Sequence, residues 1–143
     1  MKKILVFTDL DGTLLDVNKY EYTKAQGAID FLKERGIPII PCTSKTHLEV
    51  ATVQKRIGIL DPFIVENGSA IFTVQNYFKM TEVVPDELDG YHVLILGRNY
   101  KDVLQFFELW KNRHNLNATG FHEMNTEQIM ELTDLDMIEA ELA

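Results

Sequence analysis

Phe7-Thr8-Asp9-Leu10-Asp11-Gly12-Thr13 is the stretch that decides the fold. It continues the uninterrupted apolar run Ile4-Leu5-Val6-Phe7, so the sequence predicts a strand over residues 2–10 covered on both faces, as in a parallel sheet. Asp11-Gly12 is a turn signal that ends this strand. Two carboxylates at i and i+2 then stand at the carboxyl end of a buried strand and point the same way. Open parallel sheets bind their ligands at that end. Two close acids repel each other unless a cation joins them. Magnesium suits such a pair, because it takes one or two carboxylates, some water and a substrate phosphate. A carboxylate can also attack phosphorus to form an aspartyl-phosphate, while a second acid protonates the leaving oxygen and later activates water. The plain alternative is an Asp-Gly turn without chemistry. A calcium loop does not fit, because Phe7 stands where that motif needs its first acid.

Outward from this stretch, Ala25, Ala28, Ile29 and Leu32 predict a helix over residues 23–35, stopped by Gly36. A second strand spans 37–42, and a second helix spans 46–57 with Gly58 after it. A short strand at 63–65 is separated by Asn67-Gly68 from another at 69–74, with residues 77–84 as a possible hairpin partner. Strand, helix, strand, helix, strand is the order of an α/β parallel sheet with helices on its faces. The polar segment Pro85-Asp86-Glu87-Leu88-Asp89-Gly90 reads as a linker. Beyond it the pattern gives a strand at 91–96, a helix at 100–113, a short strand near 117–120, and acidic helical turns at 126–132 and 135–142. The expected organisation is a core over 1–84 and a partial second lobe over 85–143.

A second constellation lies at the end of the second strand. Thr43-Ser44-Lys45-Thr46 leads into a helix, where hydroxyls and backbone N–H groups form a phosphate cradle and Lys45 adds positive charge. The alternative is that Ser44 or Thr46 only caps the helix.

Composition narrows the function classes. The chain has 143 residues, 45% apolar and 25% charged, the balance of a folded globular chain rather than of a disordered or fibrous one. The apolar runs are too short to span a bilayer, and the acids that follow residue 8 argue against a signal peptide. One cysteine, Cys42, suits a reducing cytoplasm and reads as a small core residue. Fourteen basic against 22 acidic residues give a net charge of −8, which argues against a nucleic-acid partner. After Arg113 no Lys or Arg follows, and the acidic tail reads as a solvated helix face. His47, His92, His114 and His122 lack zinc-site spacing. Phe106, Phe107 and Trp110 sit at helical spacing and read as the core of the second lobe.

Asp9-Leu10-Asp11-Gly12-Thr13-Leu14-Leu15, with Thr43 at the end of the next strand, resembles the haloacid dehalogenase (HAD) superfamily of phosphatases. Pro41-Cys42-Thr43-Ser44-Lys45-Thr46 and Phe63-Ile64-Val65-Glu66-Asn67-Gly68-Ser69-Ala70-Ile71-Phe72 look like its mannosyl-3-phosphoglycerate phosphatase branch. Met130-Glu131-Leu132-Thr133-Asp134-Leu135 and Ile138-Glu139-Ala140-Glu141-Leu142-Ala143 look like part of that branch's cap, so the likeness covers almost the whole chain. The resemblance implies a HAD-like Rossmannoid sheet with helices on both faces and a partial α+β cap. It implies Asp9 as nucleophile and Asp11 as general acid/base. Thr43, Ser44, Lys45 and Gly12 would bind phosphate. Glu66, Asn67 and Gly68 would lie at the substrate mouth, or else form only a hairpin turn. Magnesium would join Asp9, the backbone carbonyl of Asp11 and the phosphate. The substrate would be a small phosphorylated sugar or glycerate, handled in the cytoplasm without nucleic acid or membrane.

Members of this family also carry a phosphate-neutralising lysine and an acidic metal-binding loop in a later half, and the sequence is expected to lack both. Two further expectations follow. The chain is either a weak phosphatase or a catalytically impaired remnant that binds phosphate or a partner protein. Its first strand would leave an open edge, favouring a homo-oligomer.

Overall fold

The computed structural model describes residues 4–16, 21–77, 85–133 and 135–142. It divides into two compact units, Met1–Leu96 and Gly97–Ala143.

In the first unit, β1 (Val6–Thr8) pairs in parallel with β2 (Ile39–Pro41), Val6 opposite Ile39 and Thr8 opposite Pro41. Cys42 then makes a parallel bridge to Ile64 of β3 (Phe63–Val65), so three strands end on the same side. β3 turns back into β4 (Ala70–Val74), and an antiparallel sheet continues through β6 (Tyr91–Ile95) to β5 (Asp86–Leu88) in the order β3-β4-β6-β5. Helix α1 (Gln26–Glu34) contributes Ile29 to the core, and α2 (His47–Ile57) contributes Val50, Val53 and Ile57, around Phe63, Val65 and Phe72 from the strands. The glycine expected to stop α2 does so: Gly58 has φ +71.

Asp61 ties three segments together. Its Oδ2 accepts the Ile39 N–H at 2.9 Å, its Oδ1 accepts the Tyr77 hydroxyl at 2.7 Å, and its main-chain oxygen accepts the buried Gln54 amide at 2.8 Å. Burial first, and then the bond and charge of Asp61, push the Tyr77 phenol up to about 12. A phenol raised in the folded state stabilises the fold below its unfolded pKa near 10, and that contribution is lost as pH climbs toward 12. Tyr77→Phe is therefore expected to flatten the alkaline decline of the melting temperature over that window, read by thermal melts from pH 9 to 12.

The structure departs from the sequence reading in several places. The cover expected on both faces of the first strand is missing among the described residues: Ile4, Leu5 and Phe7 are 57, 48 and 58% exposed. Residues 85–90 are not a linker, because Asp86–Leu88 pairs with β6 and Asp89-Gly90 turns the chain with φ of 51° and 82°. β5 is exposed along its length, so its polar residues suit an edge strand rather than a tether. The first compact unit runs on through this sheet to Leu96. The partner expected at 77–84 lies, beyond Tyr77, outside the described residues, and β6 pairs with β4.

The second unit holds α3 (Tyr100–His114), α4 (Thr126–Thr133) and α5 (Met137–Leu142). Residues 117–120 form no strand and lead into a short 3-10 turn, Phe121–Glu123. Nor do Phe106 and Trp110 form a core: they are 61 and 49% exposed, and α3 buries none of its residues. Glu108, His122 and Glu123 meet with ligand atoms within 4.8 Å of one another, closer than their sequence spacing suggests. The Lys111 ammonium lies 2.7 Å from Glu123 and meets its charge directly, which opposes a second cation there. Of the acidic tail, Glu127, Glu131, Asp136 and Glu141 are exposed, as a solvated face requires. No helix among the described residues is long and apolar enough to cross a membrane.

Candidate active site

The site begins with strand alternation. Leu10 is fully buried, while Asp9 and Asp11 on either side are exposed. Burying one leucine thus commits both carboxylates to the opposite side of the chain. The Leu10 N–H donates to Asp9 Oδ1 at 2.7 Å, and the Thr8 hydroxyl donates to the Asp9 main-chain oxygen at 2.8 Å. Gly12 turns the chain with φ +69, and the N–H groups of Thr13 and Leu15 return to the Leu10 carbonyl.

The loop after β2 lies beside this pair. The Cys42 N–H donates to the Thr8 carbonyl at 2.8 Å, and Thr43, 5% exposed, donates its N–H to the Ile64 carbonyl at 3.1 Å. The turn after β3 is stitched to the same loop, Glu66 N–H to the Lys45 carbonyl at 3.1 Å and Asn67 N–H to the Thr43 carbonyl at 3.0 Å. Glu66, Asn67 and Gly68 all have positive φ, at 49°, 56° and 95°. For a glutamate this is an uncommon conformation, held here by bonds to the loop and by Ser69, whose hydroxyl donates to the Glu66 carbonyl at 2.8 Å.

The result is one open cavity of about 340 Å³ lined by Asp9, Asp11, Cys42, Thr43, Ser44, Ile64, Asn67 and Gly68. Most of the predicted site residues therefore meet. Glu66 does not line the cavity and serves the turn. Gly12 lines a neighbouring cavity of about 320 Å³ with Thr13 to Asp16, Glu21 and Lys24. Cys42 faces the site rather than the core. Burial first, and then the Asp9 charge, push its thiol pKa up, which keeps it protonated and a poor nucleophile.

The phosphate cradle is narrower than the sequence suggested. The Thr43 N–H is used by Ile64, the Lys45 N–H by Thr43 Oγ1 at 3.2 Å, and the Thr46 N–H by Glu49 Oε2 at 2.8 Å. Glu49 also accepts the Thr46 hydroxyl at 2.8 Å and, through its other oxygen, the Lys45 ammonium at 3.3 Å. One carboxylate thus caps α2 and holds Lys45, whose Nζ stands 3.6 Å from Asp11 Oδ1. Lys45 reaches Asp11 and does not line the cavity. Glu49 was not singled out in the sequence, although Thr46-x-x-Glu49 is a legible capping box.

The geometry has counterparts in known proteins. Residues 6–134 match the family described as haloacid dehalogenase-like hydrolase. The chain belongs to that family. It is 41% identical over 140 residues to a glucosyl-3-phosphoglycerate/mannosyl-3-phosphoglycerate phosphatase of Persephonella marina, covering 98% of this chain and 51% of the relative. A phosphatase of the same description from Methanococcoides burtonii is 38% identical over 141 residues, covering 99% of this chain and 52% of the relative. This family member thus spans about half the length of the curated relatives it matches. Its fold is similar to that of a Geobacillus kaustophilus protein, with a TM-score of 0.60 at 18% identity over 98% of this chain and 54% of that one. A Thermotoga maritima protein gives a TM-score of 0.60 at 16% identity over 95 and 48% of the two chains. The fold is α/β and HAD-like.

The donor set suits magnesium. Two exposed carboxylates and main-chain carbonyls are hard oxygen ligands, and one or two carboxylates are what that ion takes from a protein.

Proposed function

We propose that this chain carries the nucleophile of a magnesium-dependent phosphomonoester hydrolase that works through an aspartyl-phosphate. The observation that carries this reading is the single cavity shared by Asp9, Asp11, Thr43 and Ser44. The substrate class is a small phosphorylated sugar or glycerate such as mannosyl-3-phosphoglycerate, supported by the names of the relatives that match nearly the whole chain. The setting is the cytoplasm, where a single thiol stays reduced, without a nucleic-acid or membrane partner.

In this mechanism an Asp9 carboxylate oxygen attacks phosphorus and the ester P–O bond breaks. Asp11 gives its proton to the departing oxygen. Asp11 then takes a proton from water as that water attacks phosphorus, which releases phosphate and restores Asp9. The Thr43 hydroxyl, whose oxygen already accepts the Lys45 N–H, has its own proton left to donate to a phosphoryl oxygen, and Ser44 offers another. Asp9 and the Asp11 carbonyl would hold magnesium, which supplies positive charge for the transferring phosphoryl group.

Lys45 adds a fixed charge beside Asp11. Lys45→Met is expected to weaken binding of inorganic phosphate by about tenfold or more, with Lys45→Arg retaining most of it, as read by calorimetric titration.

A second reading is a module that binds phosphate or a protein without turnover, favoured by the match to only about half of each relative. Magnesium-dependent beryllofluoride capture at Asp9 separates the two, because it needs a working nucleophile and metal site. Capture in the wild type supports the hydrolase; its absence supports the binding module.

A further inference from the structure

We propose that Glu49 is a positioning residue: acting through Lys45, it holds the Asp11 carboxyl group in place for the proton that goes to the leaving oxygen. This role rests on the hydrolase reading above and adds to it a residue that does not line the cavity. Glu49 divides its two oxygens between two tasks. Oε2 accepts the Thr46 N–H and the Thr46 hydroxyl, each at 2.8 Å, at the cap of α2. Oε1 faces the Lys45 ammonium at 3.3 Å. A glutamine serves at this position of a capping box as a glutamate does. The charge of Glu49 is therefore more than the cap requires, and it is directed at Lys45.

Burial makes the hold firm. The side chains of Lys45 and Glu49 are each 11% exposed, so solvent and salt screen their attraction weakly. Asp11 is held differently. Its side chain is 41% exposed, and the burial of Leu10 fixes only the direction in which it leaves the chain. What faces its carboxylate is Lys45, with Nζ 3.6 Å from Oδ1. A cation on that side favours negative charge on Oδ1 and leaves Oδ2 to carry the proton. When the ester P–O bond breaks, its electron pair stays on the leaving oxygen and the Oδ2 proton moves there. Lysine is a charge on a flexible four-carbon stem, so a carboxylate that anchors the ammonium also anchors what the ammonium faces. A displacement of about 1 Å at a reacting group can cost about 10²-fold in rate.

The test uses the full chain with magnesium and two esters, phenyl phosphate and p-nitrophenyl phosphate. Nitrophenolate departs without a proton, whereas the more basic phenolate gains from one. The readout is kcat/KM, which reports the step that forms the aspartyl-phosphate. Glu49→Gln keeps an oxygen for the cap and removes the charge. It is expected to lower kcat/KM about 30-fold or more for phenyl phosphate, and about threefold or less for p-nitrophenyl phosphate. Lys45→Met leaves the cap bonds of Glu49 in place and is expected to shift the ratio of the two esters in the same direction, so the role is read even where Glu49→Gln fails to fold. The double variant is expected to show the ratio of Lys45→Met alone, because Glu49 acts through Lys45. Thr46→Ala removes a cap hydroxyl and is expected to lower the melting temperature with the ratio unchanged. Equal losses for the two esters overturn the positioning role alone, as do additive shifts in the double variant or a ratio that Thr46→Ala also moves. A wild type that turns over neither ester and captures no beryllofluoride overturns the hydrolase reading, and this role with it.

Discussion

Asp9→Asn is expected to abolish beryllofluoride capture and to lower magnesium-dependent turnover of an aryl phosphate by about 10³-fold or more. An amide is not an anionic nucleophile, so the covalent step has no substitute at that position. The substitution is otherwise quiet. Asn keeps an oxygen that can accept the Leu10 N–H, the bond Asp9 Oδ1 makes at 2.7 Å. The residue is exposed, so the melting temperature should move little. Asp11→Asn gives the diagnostic contrast. It leaves the nucleophile in place and removes the proton donor and acceptor, so the adduct should persist while turnover falls by about 10²- to 10⁴-fold. Adduct in the Asp9 variant above a tenth of the wild-type level would remove Asp9 from the role of nucleophile.

The acid pair and its partners were legible because each follows from a local rule. Alternation around a buried Leu10 projects Asp9 and Asp11 together, and the end of a parallel strand brings Thr43 beside them. Asn67-Gly68 read as a turn, and it is one, but its stitching to Thr43 and Lys45 uses main-chain atoms that no side-chain pattern announces. The same limit hid the narrowing of the phosphate cradle. The capping box at Thr46 and Glu49 was written in the sequence, whereas the third partner of that carboxylate, Lys45, depends on side-chain direction. Residues 85–90 misled for another reason. An edge strand exposed along its length has no apolar alternation to betray it, so β5 looks like a linker until its partner β6 is in place. The uncovered β1 and the exposed stripe of α3 are the converse: apolar patterns that promise cover which the described residues do not supply.

Phe63→Ala is expected to cost about 3–5 kcal/mol of folding stability, against about 5–15 kcal/mol for a whole domain. Phe63 is fully buried. Its ring stacks on Phe72 at 5.2 Å and meets the edge of Tyr91 at 5.4 Å, while Phe72 in turn stacks on His47 at 4.9 Å. Removing it opens a cavity between β3, β4 and β6 and forfeits two ring contacts, each worth about 0.5–1.5 kcal/mol beyond burial. The consequence reaches the site, because the next residue anchors it. Ile64 bridges Cys42 and accepts the Thr43 N–H at 3.1 Å, so a loosened β3 releases the loop that carries Thr43 and Ser44. Urea denaturation should therefore show a lower midpoint with an unchanged slope, and phosphate affinity should fall in the same variant. Phe63→Leu, which fills most of the space, should lose less of both. A loss below about 1 kcal/mol on truncation to alanine would mean that β3 is not packed against β4 and β6 as described, and the link from core to site would fall with it.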